Sequence, residues 1–172
     1  MAHDSFITIK KQIILMKKLI LFVISASAVF LLSTQNSLAQ AKRKLSKPAS
    51  EWKKVLTPNQ YEIMVESGTE TPYKNAYWNN HEKGVYVSAA TGEVLFSSDD
   101  KFDSHTGWPS FVKPVDPKKI EIVQDNSLGM SRDEVIEKST GLHLGHVFDD
   151  GPADRGGKRY CMNSGALKFI KK

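Results

Sequence analysis

Hydrophobic and polar residues follow two different patterns along the chain, helical spacing first and strand-like alternation afterwards. Between residues 51 and 66 apolar side chains recur at helical spacing, and Thr57-Pro58 interrupts them. A threonine followed by proline is typical of a helix N-cap with proline at the first helical position. The pattern therefore predicts one short helix before Thr57 and a second from Pro58 to about Ser67.

From Gly84 onwards the pattern changes to short alternating runs rich in Val, Ile, Phe and Tyr, which predict half-buried strands. The predicted strands are residues 84–88, 94–98, 120–124, 134–137, 146–148, 159–162 and 166–170. A turn at Thr91-Gly92-Glu93 joins the first two into a hairpin. The fold class predicted is mainly β, an antiparallel sandwich or distorted barrel with short N-terminal helices, α+β by element count.

Residues 1–39 have the layout of an N-terminal extension followed by a secretory signal peptide. A basic stretch at 16–18 precedes an apolar run from Leu19 to Leu32, and Ser37 and Ala39 are small residues at the positions a signal peptidase needs. The apolar run is short for a bilayer span. We expect cleavage after Ala39, a secreted or periplasmic protein and no stable membrane insertion afterwards. An uncleaved membrane anchor is the alternative, and the chain starts at either Met1 or Met16.

The rest of the chain divides into a basic linker, residues 40–50, and one domain, residues 51–172, which we expect to be a monomer. The formal net charge of +5 comes partly from lysines of the N-terminal segment, Lys10, Lys11, Lys17 and Lys18. No nucleic-acid-binding motif accompanies the basic residues, so we expect no nucleic-acid partner.

Cys161 is the only cysteine, so it cannot form a disulfide within the chain. Most isolated cysteines are small buried apolar residues. Here, however, Arg159 lies two positions away, on the same face if this run is a strand, and a neighbouring cation lowers the pKa of a thiol. His143 and His146 are candidate proton donors. The combination makes Cys161 a candidate nucleophile.

The segment from Ser104 to Phe111 mixes turn-forming residues with two aromatics, and Trp108 could either face a ligand or pack beneath its loop. His143 and His146 precede acidic residues and could bind a metal. No third or fourth ligand has convincing spacing, so we expect no metal site, and the two histidines could also be purely structural.

Four blocks, in order along the chain, carry a family resemblance. They are TGEVLFSSDDKFDS at 91–104, GWPSF at 107–111, HLGHVFDDGP at 143–152 and RYCMNS at 159–164. Together they resemble the B-type peptide methionine sulfoxide reductases, which act on the R epimer at sulfur. The resemblance runs from about Trp52 to Phe169, and several ordered blocks are far more specific than one motif.

The resemblance implies catalytic roles for Cys161 and for three residues near it. Cys161 matches the nucleophile that attacks the sulfoxide sulfur and becomes a sulfenic acid. His143 and His146 match the histidines that supply or relay protons to the departing oxygen. Arg159 matches the residue that favours the thiolate.

It also implies roles in orientation and substrate binding. Asp150 and Asn163 match positions that orient the hydrogen-bond network. Trp108 matches the aromatic that receives the S-methyl group of the substrate, a favourable sulfur–aromatic contact. Phe111, in the same block, is expected to contact substrate as well.

The chain departs from the family pattern at the zinc site. Many members carry two CxxC pairs that hold a structural zinc, and here those positions are Ser88, Thr91, Glu137 and Thr140. Without thiolates no tetrahedral sulfur site can form, so we expect a fold without zinc.

The second departure is Thr106, which stands where a resolving cysteine is common. A sulfenic acid on Cys161 then has no internal thiol to condense with, and an external one must reduce it. We expect a thioredoxin-like protein, a glutaredoxin-like protein or a small thiol as reductant, and no other cofactor.

The function predicted is one-Cys reduction of methionine-R-sulfoxide in peptides and oxidised proteins, with free methionine sulfoxide as a further substrate. The biological roles that follow are protein repair and the response to oxidative stress. A non-catalytic module that binds methionine sulfoxide or a partner on the same fold is the alternative. A metalloprotein using His143 and His146 is a third reading.

Overall fold

A computed structural model describes residues 44–172, except for the side chain of Leu128. The predicted signal peptide, its cleavage site and the first residues of the linker lie outside this range. Within it, no helix is long and apolar enough to cross a membrane.

Two short helices open the described chain, α1 (Ala49–Val55) and α2 (Pro58–Met64). Thr57 caps α2 as predicted: its side chain accepts from the backbone N–H of Gln60, whose side chain accepts from the backbone N–H of Thr57. This reciprocal capping box satisfies donors that would otherwise lack partners at the helix start. The helix ends earlier than predicted, at Met64, and the chain turns away through Ser67 with a φ of 60°.

Nine strands follow, and most of them coincide with the predicted ones. They are β1 (Gly84–Ser88), β2 (Val94–Ser97), β3 (Lys101–Phe102), β4 (Ser110–Phe111), β5 (Ile120–Asp125), β6 (Arg132–Glu137), β7 (Leu142–Phe148), β8 (Arg159–Met162) and β9 (Leu167–Lys171). The sequence pattern did not predict β3 and β4, because two residues are too few to show alternation.

The strands form two antiparallel sheets. One has three strands in the order β2-β1-β9, and the other has six in the order β3-β4-β8-β7-β6-β5. The predicted hairpin is confirmed as the β1–β2 pair. The mainly β, sandwich-like fold class is confirmed, and the strands of residues 44–172 do not close into a barrel.

The core is built from aromatic and aliphatic side chains of both sheets and of the two helices. The rings of Phe96 and Phe111 stack with centroids 4.5 Å apart, and Tyr86 meets Phe111 edge-on at 5.0 Å. Trp52, Ile63 and Met64 bring the helices into the same cluster. The helices therefore pack against the strands that carry the candidate site.

The predicted linker is packed onto the domain over its described part. Leu45 contacts the core, and the backbone N–H of Ser46 donates to the carbonyl of Thr140 over 2.9 Å. Helix α1 already begins at Ala49. The packed domain therefore starts before residue 51, because an apolar leucine among the basic residues finds core surface to cover.

Candidate active site

Three neighbouring strands of the larger sheet place the candidate nucleophile. Cys161 on β8 lies opposite His146 on β7 and opposite Ser110 on β4. Residues directly opposite one another on paired strands have side chains on the same face. The thiol, an imidazole and a hydroxyl therefore share one surface of the sheet.

Gly145 lets β7 and β8 approach closely beside the thiol. A Cβ built on Gly145 would lie 2.1 Å from the carbonyl oxygen of Cys161, closer than any side chain tolerates. A glycine between the two histidines is thus a packing requirement, since any larger residue would push the two strands apart.

A bulge brings the two histidines together. Side chains three positions apart on a regular strand point to opposite faces. The register between β6 and β7 shifts by one residue, so that Val135 pairs with Gly145 whereas Ile136 pairs with His143. The rings of His143 and His146 consequently lie 5.3 Å apart between centroids.

His143 is fully enclosed and bonded at both ring nitrogens. Its Nδ1 lies 2.6 Å from Oε1 of Glu134, and its Nε2 lies 3.3 Å from the amide nitrogen of Asn163. The side-chain oxygen of Asn163 accepts from the backbone of Glu70, while its nitrogen also donates to the carbonyl of Leu144. The amide orientation is therefore fixed, which makes Nε2 of His143 an acceptor and Nδ1–H a donor to Glu134.

His146 is paired in a different way. Its Nε2 lies 2.9 Å from Oδ2 of Asp125, which also accepts from Arg132 over 2.7 Å. Burial lowers the pKa of His146, and the positive charge of Arg132 acts in the same direction, while Asp125 opposes them. The neutral imidazole is therefore favoured more than in an exposed histidine.

Burial also raises the pKa of the Cys161 thiol. The positive charge of Arg159 and hydrogen bonds from the Thr106 and Ser110 hydroxyls pull the pKa of Cys161 the other way without cancelling that rise. Arg159 therefore lowers the pKa of the Cys161 thiol, as predicted. The net pKa of the thiol still lies above its ordinary value, because the site excludes water.

Arg159 is held in place by two partners. Its guanidinium donates through two nitrogens to the carboxylate of Asp150, each over 2.8 Å, and lies 4.4 Å from the ring centre of Phe148. The bond to Arg159 holds the pKa of Asp150 below its usual range, and the same bond raises the pKa of Arg159. A bidentate, stacked guanidinium keeps its charge fixed beside the thiol.

The indole of Trp108 is fixed by a tight loop. Gly107 has a φ of 91°, and a Cβ there would lie 2.8 Å from the backbone nitrogen of Tyr73. The Gly107 carbonyl accepts from that nitrogen and from the amide of Asn75. The indole N–H of Trp108 donates to the carbonyl of Glu70 over 3.1 Å. The ring is therefore positioned, not merely packed under its loop.

These side chains surround a cavity of about 130 Å³. It is lined by Thr69, Trp108, Arg132, Gly145, His146, Phe148, Cys161, Met162 and Asn163. A larger, mostly polar cavity of about 480 Å³ lies beside α2 and shares only Thr69 with the first. The smaller one holds the thiol, so we refer to it as the reaction cavity.

The SelR domain family matches residues 56–171 of this chain. The chain belongs to the B-type peptide methionine sulfoxide reductase family. It is 50% identical over 129 residues to "Peptide methionine sulfoxide reductase MsrB" of Methanosarcina barkeri (strain Fusaro / DSM 804). That match covers 75% of this chain and 90% of the relative.

Within this member of the reductase family, the predicted site residues divide into three groups. Those that line the reaction cavity are Cys161, His146, Asn163 and Trp108. His143 lies behind them, and Arg159 with Asp150 flanks the thiol. Phe111 is elsewhere: it is completely buried and stacked on Phe96, so its predicted contact with substrate is corrected to a core role.

The sequence reasoning missed the carboxylates that face the two histidines, Glu134 and Asp125. Both are largely buried. Glu134 lies within a predicted strand, and Asp125 directly follows one. A buried acid within an alternating strand is a signal that something pairs with it. Which residue pairs with it depends on the β6–β7 register, which the pattern does not show.

The four positions that the family resemblance assigns to a zinc site come together as a hydrogen-bonded cluster. Thr91 and Thr140 donate to the two oxygens of Glu137 over 2.5 and 2.7 Å, and the Ser88 hydroxyl accepts from the backbone N–H of Thr91. Within residues 44–172, no three His, Cys, Asp or Glu side chains gather as a metal site requires.

Proposed function

We propose that this protein reduces the R epimer of methionine sulfoxide in peptides and oxidised proteins, with Cys161 as the nucleophile. The chain is an oxidoreductase of the peptide-methionine (R)-S-oxide reductase class. One observation carries the mechanism: Cys161 and His146 lie opposite each other on β8 and β7 and share a cavity with Trp108.

The first step oxidises the enzyme and reduces the substrate. The Cys161 thiolate attacks the sulfoxide sulfur and forms an S–S bond, while the oxygen takes up two protons and leaves as water. A water molecule then attacks the Cys161 sulfur and releases one proton, and the S–S bond breaks with its electron pair on the substrate sulfur. The substrate sulfur is reduced by two electrons and leaves as methionine, while Cys161 is oxidised by two electrons to a sulfenic acid. His146 is the proton donor that reaches the cavity, whereas His143 is almost fully enclosed, with 1% of its side chain exposed.

Trp108 and Asn163 prepare the cavity for the substrate. The indole is held by its bond to Glu70 and offers an apolar face to the S-methyl group. Asn163 connects Glu70 to His143, so the loop that holds Trp108 and the histidine share one network. A cavity of about 130 Å³ suits the end of one side chain, not a folded partner.

Arg159 supports the reactive form of the thiol. Burial disfavours the Cys161 thiolate, and the fixed guanidinium offsets part of that cost. Because Asp150 holds the guanidinium at two points, its charge stays beside the sulfur throughout the reaction.

Reduction of the sulfenic acid requires a thiol from outside the chain. Cys161 is the only cysteine of the protein. An external thiol condenses with the sulfenic acid, releasing water and forming a mixed disulfide, and a second thiol then restores Cys161. A thioredoxin-like protein, a glutaredoxin-like protein or a small thiol fits this step.

The site of action follows from the N-terminal sequence. We propose export through the signal peptide in residues 1–39, with the enzyme working as a monomer in the periplasm or outside the cell. Its substrates there are proteins oxidised in an environment where methionine damage is common.

The decisive experiment is a single turnover of the purified protein without reductant, given peptides carrying either the R or the S epimer. We expect about one equivalent of methionine from the R epimer, none from the S epimer, and a sulfenic acid on Cys161 that a dimedone probe traps. Cys161→Ser, the matched control, should yield none. A folded protein that releases no methionine from either epimer would instead support the binding-module alternative.

A further inference from the structure

His146 is held by a carboxylate outside the four sequence blocks of the family. Asp125 ends β5 and lies opposite Arg132 at the start of β6. Its Oδ2 lies 2.9 Å from Nε2 of His146 and 2.7 Å from the Arg132 guanidinium, while its Oδ1 accepts from the backbone N–H of Ser127 over 2.9 Å. Only 6% of Asp125 is exposed. The carboxylate cannot rotate without losing several bonds at once.

This contact determines the tautomer of His146. Burial opposes ionisation of Asp125, but hydrogen bonds from Ser127 and His146 and the charge of Arg132 outweigh it and hold the pKa of Asp125 well below its usual range. An ionised carboxylate only accepts hydrogen bonds, so Nε2 of His146 must carry a proton. The remaining nitrogen, Nδ1, is then the atom that gains and loses the catalytic proton.

We propose that Asp125, locked by Arg132, is a positioning residue that fixes the tautomer and ring orientation of His146 and stabilises its imidazolium form. The inference rests on the proposed function. Arg132 serves two purposes in this arrangement, since it orients Asp125 and also lines the reaction cavity. Its Nε is buried without a hydrogen-bond partner within residues 44–172.

The charges around His146 decide in which direction its pKa moves when the charge of Asp125 is removed. The groups that face it are Asp125 from β5, Arg132 and Glu134 from β6, His143 from β7, and Cys161 and Arg159 from β8. Asp125 is the carboxylate that touches the ring of His146, because Glu134 is bonded to His143. Without the Asp125 charge, nothing in direct contact with the ring compensates the cations.

The test is Asp125→Asn in the purified protein, which keeps the shape and removes the charge. An opposite charge at this distance shifts a pKa by about 1–3 units. We expect the pH midpoint of His146 to move to lower pH by about 1 unit or more. The state with a thiolate and an imidazolium together becomes rarer, so the single-turnover rate near neutral pH should fall about tenfold per unit.

Two variants separate this role from a structural one. Asp133→Asn makes the same change at an exposed position of β6 and should leave both the midpoint and the rate unchanged. Asp125→Glu retains the charge and should bring the midpoint back towards the wild-type value. Equal midpoints in Asp125→Asn and Asp125→Glu would overturn the proposal.

A second measurement does not depend on turnover or on the stability of the variant. Nitrogen chemical shifts of histidine-labelled Cys161→Ser protein, with His146 assigned by difference from His146→Gln, report the tautomer directly. A proton on Nε2 at neutral pH is expected, and a proton on Nδ1 would refute the inference. Failure of the proposed function is distinguishable, because the wild type itself would then release no methionine.

Discussion

At the scale of single residues, three hydroxyl groups lie in the surroundings of Cys161. The hydroxyls of Ser104, Thr106 and Ser110 form a small network, with Ser104 2.9 Å from Thr106 and 2.7 Å from Ser110. Thr106 and Ser110 also bond to the thiol and lower its pKa against the effect of burial. The threonine at position 106 therefore lowers the pKa of the Cys161 thiol.

Because the Thr106 hydroxyl contacts the thiol, Thr106→Cys should place a second sulfur beside Cys161. After one turnover with the R epimer, the sulfenic acid is expected to condense with the new thiol to an intramolecular disulfide, with loss of water. Intact-protein mass spectrometry after thiol alkylation measures the product.

The matched control for this prediction is His105→Cys at the preceding residue, whose side chain is 85% exposed. It should leave a free thiol and a trappable sulfenic acid. A sulfenic acid that persists in Thr106→Cys as well would mean that the loop holds the new sulfur away from Cys161.

At the scale of elements, a buried polar cluster joins the two sheets at Ser88, Thr91, Glu137 and Thr140. Glu137 at the end of β6 is completely buried, and Thr91, from the β1–β2 turn, and Thr140, from the β6–β7 turn, donate to it. A buried carboxylate is tolerated only when it is hydrogen-bonded. The two turns are therefore tied together by hydrogen bonds.

Thr140→Val should weaken this tie while conserving shape. It removes one donor and leaves an oxygen of Glu137 without that partner, which costs about 1–3 kcal/mol of the free energy of unfolding. Urea denaturation measures the change. Thr140 does not line the reaction cavity, so the rate of methionine release should not change.

The exposed Thr71 offers a matched substitution, and Thr71→Val should alter the unfolding free energy by less than about 0.5 kcal/mol. Equal losses in the two valine variants would show that the cluster contributes nothing specific.

At the scale of the whole molecule, the described chain begins with residues that pack on the domain. Leu45 and Ser46 contact the domain, so cleavage after Ala39 would leave only residues 40–43 ahead of the described chain. Cleavage at that position would therefore retain every residue that the structure describes.

Expression of the full chain in a bacterium tests this processing. We expect the periplasmic product to begin at Gln40, as read by mass spectrometry of its N-terminal peptide. Ala39→Arg, which replaces the small residue that the peptidase requires, should accumulate as the uncleaved form. Wild-type protein that keeps residues 16–39 and stays in the membrane fraction would favour the anchor alternative.

The sequence by itself determined the elements whose causes are local. Thr57-Pro58 specifies where α2 begins, because capping involves only neighbouring residues. Alternation specified the longer strands and the β1–β2 hairpin. The ordered blocks around Trp108, His146 and Cys161 specified the family, because such a combination at such spacing does not arise from packing alone.

Tertiary structure decided which residues meet. The β6–β7 bulge turns His143 and His146 to one side, and the end of β5 brings Asp125 to His146. The packing of the two sheets buries Phe111 in the core, away from the reaction cavity. These contacts depend on strand register and sheet order, which are set by long-range pairing across the domain and leave no periodic trace in the local sequence.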